Sequence, residues 1–296
     1  MGDDLDWECD GRDWPNREAS RFLEAAGLRW HVQQMGKGPA LLLIHGTGAS
    51  THSWRALMPL LAQNFTVIAV DLPGHGFTQT PPSERLSLPG MVRALDALLR
   101  KLGVQPALVV GHSAGAAILI RMALDGLISP RGIVSLNGAL LPFRGVARHV
   151  FGPLAKLLVL NPFVPRLFAW QAGSKNAVER LIRDTGSKLD AEGVAQYTRL
   201  IGSPAHVAGA LGMMANWDLE PLARDLPRLD IPLLLVAAGG DLTVSSDTAF
   251  EVRDRVPGAT VQYMRGVGHL AHEEKPSEIS ALITDWASRT GVFPKD

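Results

Sequence analysis

The segment Gly111-His112-Ser113-Ala114-Gly115 constrains the fold more than any other, because it joins two runs that demand different backbone conformations. Before it, Ala107-Leu108-Val109-Val110 is a short, continuous apolar run of strand type. After it, Ala116-Ala117-Ile118-Leu119-Ile120 continues a helix that starts on small residues. A serine flanked by glycines at such a junction predicts a strained strand-to-helix turn, which lifts the Ser113 hydroxyl out of a sheet towards a substrate and a base. Side chains at 111 or 115 would clash in so sharp a turn. The chain holds 30 glycines, so the motif alone also arises by chance, and its meaning depends on whether a base and an acid stand further along the chain.

The strand pattern recurs along the chain. Strand signals begin at Ser20, and Leu28 to Gln34 predicts an early antiparallel strand ended by Gly36-Lys37-Gly38-Pro39. Leu41 to Ile44, Thr66 to Val70, Ile133 to Leu136, Leu233 to Ala237 and Thr260 to Met264 are nearly continuous apolar runs, as expected of strands buried on both faces. Helical patterns lie between them at Trp54 to Ala62, Pro89 to Leu102, Ala114 to Leu124, Asp247 to Val256 and Pro276 to Ser288. This alternation predicts an α/β fold with a mostly parallel central sheet and helices on both sides. Residues 139–216 break the rhythm with apolar and helical segments and no strand pattern, which predicts an inserted helical cap. The core is then residues 20–138 and 217–296. Residues 1–19, polar and acidic with Trp7 and Trp14, read as a loosely attached arm.

Composition narrows the function classes. At 296 residues and 46% hydrophobic content, the chain can bury one large core, or one core plus a lid. A formal net charge of zero provides no basic field for nucleic acid. The lone Cys9 excludes an internal disulfide and a cysteine metal site, and fits a reducing compartment. The acidic start Met1-Gly2-Asp3-Asp4-Leu5-Asp6 lacks a signal-peptide pattern, and no apolar run approaches the roughly 20 residues of a spanning helix. A cytoplasmic location is expected. No phosphate-binding G-x-x-x-x-G-K-[ST] or dinucleotide-binding G-x-G-x-x-G pattern is present. No cofactor and no metal are expected: His112, His269 and His272 lack closely spaced acidic or cysteine co-ligands.

A serine hydroxyl needs an adjacent base, and the base needs an orienting acid. Asp241 comes after the run Leu233 to Ala237, and His269 after Thr260 to Met264. Both fall past the C-terminal ends of predicted parallel strands, where open α/β sheets bind ligands. The predicted catalytic set is therefore Ser113 as nucleophile, His269 as base and Asp241 as acid. Asn137 stands after another strand, at a position that offers an alternative acid site, but it is no carboxylate. A developing oxyanion needs two rigid N–H donors, and the backbone amides of Thr47, in His45-Gly46-Thr47-Gly48, and of Ala114 are the natural pair. Asp71-Leu72-Pro73-Gly74-His75-Gly76 is assigned a bracing role, as are His45 and His75.

These pieces, with Gly268-His269 and Glu273 to Pro276, resemble the α/β-hydrolase superfamily from about Ser20 onward. Members with an aspartate nucleophile are excluded by Ser113. Further residues resemble a narrower group, the magnesium chelatase accessory proteins of bacteriochlorophyll synthesis. They are Asp13-Trp14-Pro15-Asn16-Arg17, Ser20-Arg21-Phe22, Leu28 to Gln33 and Thr51-His52-Ser53-Trp54. That resemblance implies a tetrapyrrole pathway and magnesium chelatase subunits as partners. The cap agrees with it. No acidic residue lies between Asp125 and Glu179, while Arg131, Arg144, Arg148, Lys156, Arg166 and Lys175 stand among leucines and aromatics. Arg144, Arg148, Phe151, Arg166 and Trp170 are the candidate contacts for an apolar, anionic small molecule such as a porphyrin, or for a peripheral membrane surface. The expected activity is cleavage of an ester or thioester. Alternatives are a non-catalytic porphyrin-binding or chelatase-assisting protein, and a general carboxylesterase or cofactor-free haloperoxidase-like hydrolase.

Overall fold

The computed structural model describes residues 4–142, 165, 166, 169 and 174–293. Eight strands form one sheet: β1 (Ser20–Ala25), β2 (Leu28–Met35), β3 (Ala40–Ile44), β4 (Thr66–Val70), β5 (Leu108–His112), β6 (Gly132–Leu136), β7 (Leu233–Ala238) and β8 (Thr260–Met264). Their order is β1-β2-β4-β3-β5-β6-β7-β8. β1 pairs antiparallel with β2, and β2 with β4; every other neighbouring pair is parallel. From β3 the chain steps outward to β4, then returns to place β5 on the other side of β3. The direction of winding therefore reverses between β3 and β5, and a crevice opens beyond the carboxyl ends of those two strands.

From β3 to β7 the strands read as apolar runs because both faces are covered, whereas the edge strand β8 leaves Thr260, Gln262 and Tyr263 exposed, against the two-faced burial expected of it. Alternate residues divide cleanly. Leu42, Ile44, Ile68, Val70 and Val109 face a core shared with α3 (Leu88–Leu102) and α4 (Ala114–Leu124). Leu41, Leu43, Val67, Ala69 and Val110 face the other, shared with α2 (Leu57–Leu61) and α11 (Pro276–Arg289). Complete burial of each such Leu, Ile or Val side chain stabilises the fold by about 1.5–3 kcal/mol. α3 carries Pro89 in its first turn, where its missing N–H has no intrahelical partner anyway, and stops at Gly103 in the left-handed region (φ 65°).

Between β6 and β7 the described residues hold α5 (Lys175–Asp184), α6 (Ala191–Ile201), α7 (Pro204–Ala215) and the short α8 (Glu220–Asp225). α9 (Asp247–Arg255) separates β7 from β8, and α10 (Ala271–Glu274) precedes α11.

Two further expectations change. The helix expected from Trp54 to Ala62 is a 3₁₀ turn at Thr51–Trp54, with α2 starting only at Leu57. An earlier start would place Pro59 deep enough to clash with a preceding carbonyl. The loosely attached arm is also corrected: within residues 4–19 the chain is packed onto the body. It begins with α1 (Trp7–Asp10), whose N-terminus is capped by Asp6 accepting from the Cys9 amide. Trp14 is 2% exposed, and its indole N–H donates to Thr51 Oγ1 at 3.1 Å. Arg199 of α6 donates to the Asp10 carbonyl at 2.8 Å and to Asp13 Oδ2 at 2.9 Å. Composition suggests an arm because polar residues surround the tryptophans; the partners that bury them lie far along the chain. Trp14→Ala is expected to lower unfolding free energy by about 3 kcal/mol or more in urea titrations. A change within about 0.5 kcal/mol, the range of ordinary surface substitutions, would restore the arm reading.

Candidate active site

Ser113 closes β5 and opens α4 with φ 51° and ψ −117°, a backbone conformation rarely adopted outside glycine. The strand runs two residues further than its apolar pattern, through Gly111 and His112, so the turn is concentrated at the serine itself. Glycine neighbours are required by close backbone approach. A Cβ at Gly111 would lie 2.4 Å from the Ala116 nitrogen, and one at Gly115 would lie 2.2 Å from the Ile44 carbonyl oxygen. A Cβ at Gly46 would sit 2.9 Å from Ser113 Cβ, so the loop after β3 lies directly against the elbow. In that loop the Ala49 amide donates to Gly46 O at 3.2 Å, with Gly48 at φ +77°, and Thr47 rides on the resulting turn. Ala114 begins α4, where the first amides of a helix have no acceptor of their own.

The candidate acid and base meet directly. His269 Nδ1 lies 2.7 Å from Asp241 Oδ2, with both side chains nearly inaccessible. Nδ1 is therefore the donor to the carboxylate, and Nε2 is the nitrogen left for a substrate-side proton. Asp241 is held from every side: Asn137 Nδ2 donates to the same Oδ2 at 2.7 Å, and the Thr243 and Val244 amides donate to Oδ1 at 2.7 and 2.9 Å. The post-strand position at Asn137 thus supplies a donor to the acid. His112 ties the base to the elbow, since its Nε2 donates to the His269 carbonyl at 3.0 Å. The residues after α5 join both loops: Thr185 O accepts from the Leu242 and His269 amides at 3.2 Å each, and Ser187 Oγ accepts from the Leu270 amide at 2.8 Å. Backbone touches backbone there, because a Cβ at Gly186 would lie 1.8 Å from Gly240 O.

Behind the base stands a buried polar chain. Ser53 donates to Glu273 Oε1 at 2.7 Å, which makes it the acceptor for His272 Nε2 at 2.8 Å. Tyr197 of α6 donates to the same carboxylate oxygen at 2.8 Å, and Arg55 pairs with Glu273 and, at 3.0 Å, with Asp190. Burial pushes the Glu273 carboxyl up, against the opposing pull of Arg55 and the Ser53 and Tyr197 hydroxyls. The imidazoles of His272 and His112 lie tilted against each other with centroids 4.5 Å apart, and those of His112 and His269 likewise at 4.7 Å. Burial holds His112 well below the usual histidine range and brings His272 down to about 3.

A second chain braces the other side. Asp71, fully buried at the end of β4, accepts from His31 Nδ1 at 2.8 Å, from the Thr51 amide at 2.7 Å and from the Phe77 amide at 2.9 Å. Burial alone would raise its carboxyl; His31, His45 and the Phe77 amide overcome this and hold it well below the usual carboxylate range. His45 Nδ1 donates to Gly46 O at 2.7 Å while its Nε2 accepts from the Leu72 amide at 2.9 Å.

Of the residues singled out in the cap, Arg144, Arg148, Phe151 and Trp170 lie outside the described residues, and Arg166 is exposed. Arg131 does not serve the cap: it donates to the Gly291 carbonyl near the chain's end. Asn137, Thr185, Ser187, Tyr197 and Glu273 escaped sequence reasoning as site supports. Each acts through a partner far away in the chain, and only Asn137, placed just after a strand end, had a local signal.

Residues 39–276 match the family model described as the alpha/beta hydrolase fold, and the chain belongs to that family. It is 42% identical to the magnesium-chelatase 30 kDa subunit of Rhodobacter capsulatus, over 92% of this chain and 96% of that protein. It is 30% identical to pyrrolizixenacetamide deacetylase of Xenorhabdus hominickii, over 84% of this chain and 90% of that one. Among solved structures, the epoxide hydrolase CorEH without ligand superposes with a TM-score of 0.78 at 22% identity, covering 91% of this chain and 98% of the other. No described helix is long and apolar enough to cross a membrane.

The buried histidines set the acid response. A histidine held neutral in the fold protonates near pH 6.5 once unfolded, so the unfolded state binds more protons as pH falls. With His206 at about 4 and His272 at about 3 in the fold, stability is lost as pH drops from 6.5 towards those values. Each such group removes about 1.4 kcal/mol per pH unit. Urea midpoints measured from pH 7.5 to 4.5 are expected to fall steadily below about pH 6.5; a flat profile would contradict neutral burial.

Proposed function

We propose that the protein is a serine hydrolase that cleaves an ester or thioester in tetrapyrrole metabolism, as an accessory to magnesium chelatase. Ser113 attacks the carbonyl, His269 Nε2 takes its proton and gives it to the leaving group, water activated by His269 then releases the acyl group from Ser113, and Asp241 orients and stabilises the imidazolium. The Thr47 and Ala114 amides receive the oxyanion, supplying transition-state stabilisation worth on the order of 10²-fold or more in rate per donor. Two observations support this reading: the 2.7 Å His269–Asp241 pair and the strained backbone at Ser113, where β5 turns into α4. Strain at one residue persists only where the surroundings over-determine it, and such residues gather at functional sites.

The pathway assignment draws on the likeness to the Rhodobacter magnesium-chelatase subunit. Residues 139–216 are proposed as the cap, with Arg144, Arg148, Phe151, Arg166 and Trp170 as its contacts for an apolar anion such as a porphyrin. A cytoplasmic location, with peripheral membrane contact through the cap, completes the proposal. The name of that relative also favours a second reading, in which the chain assists the chelatase without turning over a substrate.

Labelling by a fluorophosphonate separates the two. Wild type is expected to label and Ser113→Ala to remain unlabelled while folded, with protoporphyrin slowing the wild-type reaction. A folded wild type that never labels would favour the assisting role, and labelling indifferent to protoporphyrin would remove the tetrapyrrole assignment.

A further inference from the structure

His206 belongs to α7, more than ninety positions from Ser113 in the chain, yet it is 3% exposed and lies between two loops of the site. Its Nδ1 is 3.1 Å from the Gly76 nitrogen, and its Nε2 is 3.1 Å from the Gly48 carbonyl oxygen. A backbone N–H only donates and a carbonyl only accepts, so Nδ1 is bare and Nε2 carries the proton. One neutral tautomer satisfies both contacts, and burial keeps the ring neutral by bringing its pKa down to about 4.

The place it holds matters more than the bonds themselves. Gly48 O leaves the turn that carries Thr47, and His45 Nδ1 holds the first carbonyl of the same turn, Gly46 O, at 2.7 Å. His45 and His206 therefore grip the turn at both ends, and each accepts with its other nitrogen from the loop after β4, at Leu72 and Gly76. α7 touches the turn a second time, where Thr47 Oγ1 lies 3.4 Å from Met213 Sδ. The helix sits this close because residue 209 is glycine: a Cβ there would lie 1.9 Å from Gly74 O.

We infer that His206 is a positioning residue for the reaction: from α7 it holds Gly48 O, and through it the turn that presents the Thr47 amide to the oxyanion. The inference rests on the serine-hydrolase reading. It assigns α7 a part in transition-state stabilisation, where a lid helix would only cover the substrate. An oxyanion donor acts through its exact placement, and a shift of about 1 Å costs on the order of 10²-fold in rate.

The test uses p-nitrophenyl acetate turnover and fluorophosphonate labelling rates on the full chain, with melting temperatures recorded for every variant. His206→Asn keeps an acceptor near the Nδ1 position and loses the donor to Gly48. It is expected to lower kcat and the labelling rate by about 10- to 100-fold, with KM nearly unchanged. His206→Gln returns a donor near the Nε2 position and is expected to recover most of the loss. Gly209→Ala pushes the helix away with both imidazole nitrogens intact, so it is expected to slow the same step and remains decisive if His206→Asn does not fold. Unchanged rates in folded variants, a loss confined to KM, or equal loss in Asn and Gln would overturn the inference while leaving the hydrolase reading standing. A folded wild type that neither labels nor turns over would instead overturn the hydrolase reading, and the inference with it.

Discussion

The rest of the molecule depends on one steric constraint: where β3 and β5 leave the sheet side by side, backbone meets backbone with no room for a side chain. Gly115 packs on the carbonyls of Ile44 and His45, and Gly46 packs on Ser113. This contact places the elbow at Ser113 and the turn after β3 against each other, at the point where the winding of the sheet reverses. The unfavourable φ of Ser113 is tolerated because β5, α4 and the neighbouring loop all fix its two ends. Larger residues at these glycines would push the strands apart before any chemistry was affected.

Around this contact the protein buries several titratable groups against specific partners. Burying a titratable group without a partner is costly, and here the partners are mostly the backbone of site loops. His45, His112 and His206 each place a ring nitrogen on a loop carbonyl, and Asp71 and Asp241 each take two backbone amides. These loops are thereby fixed by buried imidazoles, which burial keeps neutral, and by carboxylates that accept from backbone amides. Pre-organisation of this kind favours a transition state because the donors and dipoles need no rearrangement as charge develops.

The helical insertion between β6 and β7 is part of the same arrangement. Its described residues reach several loops of the site by different contacts: Thr185 and Ser187 at the Asp241 and His269 loops, Tyr197 and Asp190 at the Glu273–Arg55 pair, and His206 and Met213 at the turn after β3. A fold shared by proteins of many activities leaves the chemistry to such local constellations. In this chain those constellations draw on the insertion as much as on the sheet.

Local pattern was enough to read the strand runs, the serine at the strand-to-helix junction, and the placing of Asp241 and His269 after later strands. Each of these is set by burial on both faces of a strand or by the steric needs of a tight turn. The chain's own residues also marked Asn137 as lying at a strand end, though not that it donates to Asp241. Pattern could not read the packing of residues 4–19, because Trp14 and Asp13 find their partners at Thr51 and Arg199. Nor could it assign Tyr197, Glu273 or His206, whose side chains look like ordinary polar residues on helices until the chain is folded. Which histidines are buried and neutral, and which loop each one holds, was settled by tertiary packing alone. Hydrogen bonds between residues far apart in the chain leave no periodicity in a sequence, whereas burial and turn sterics do.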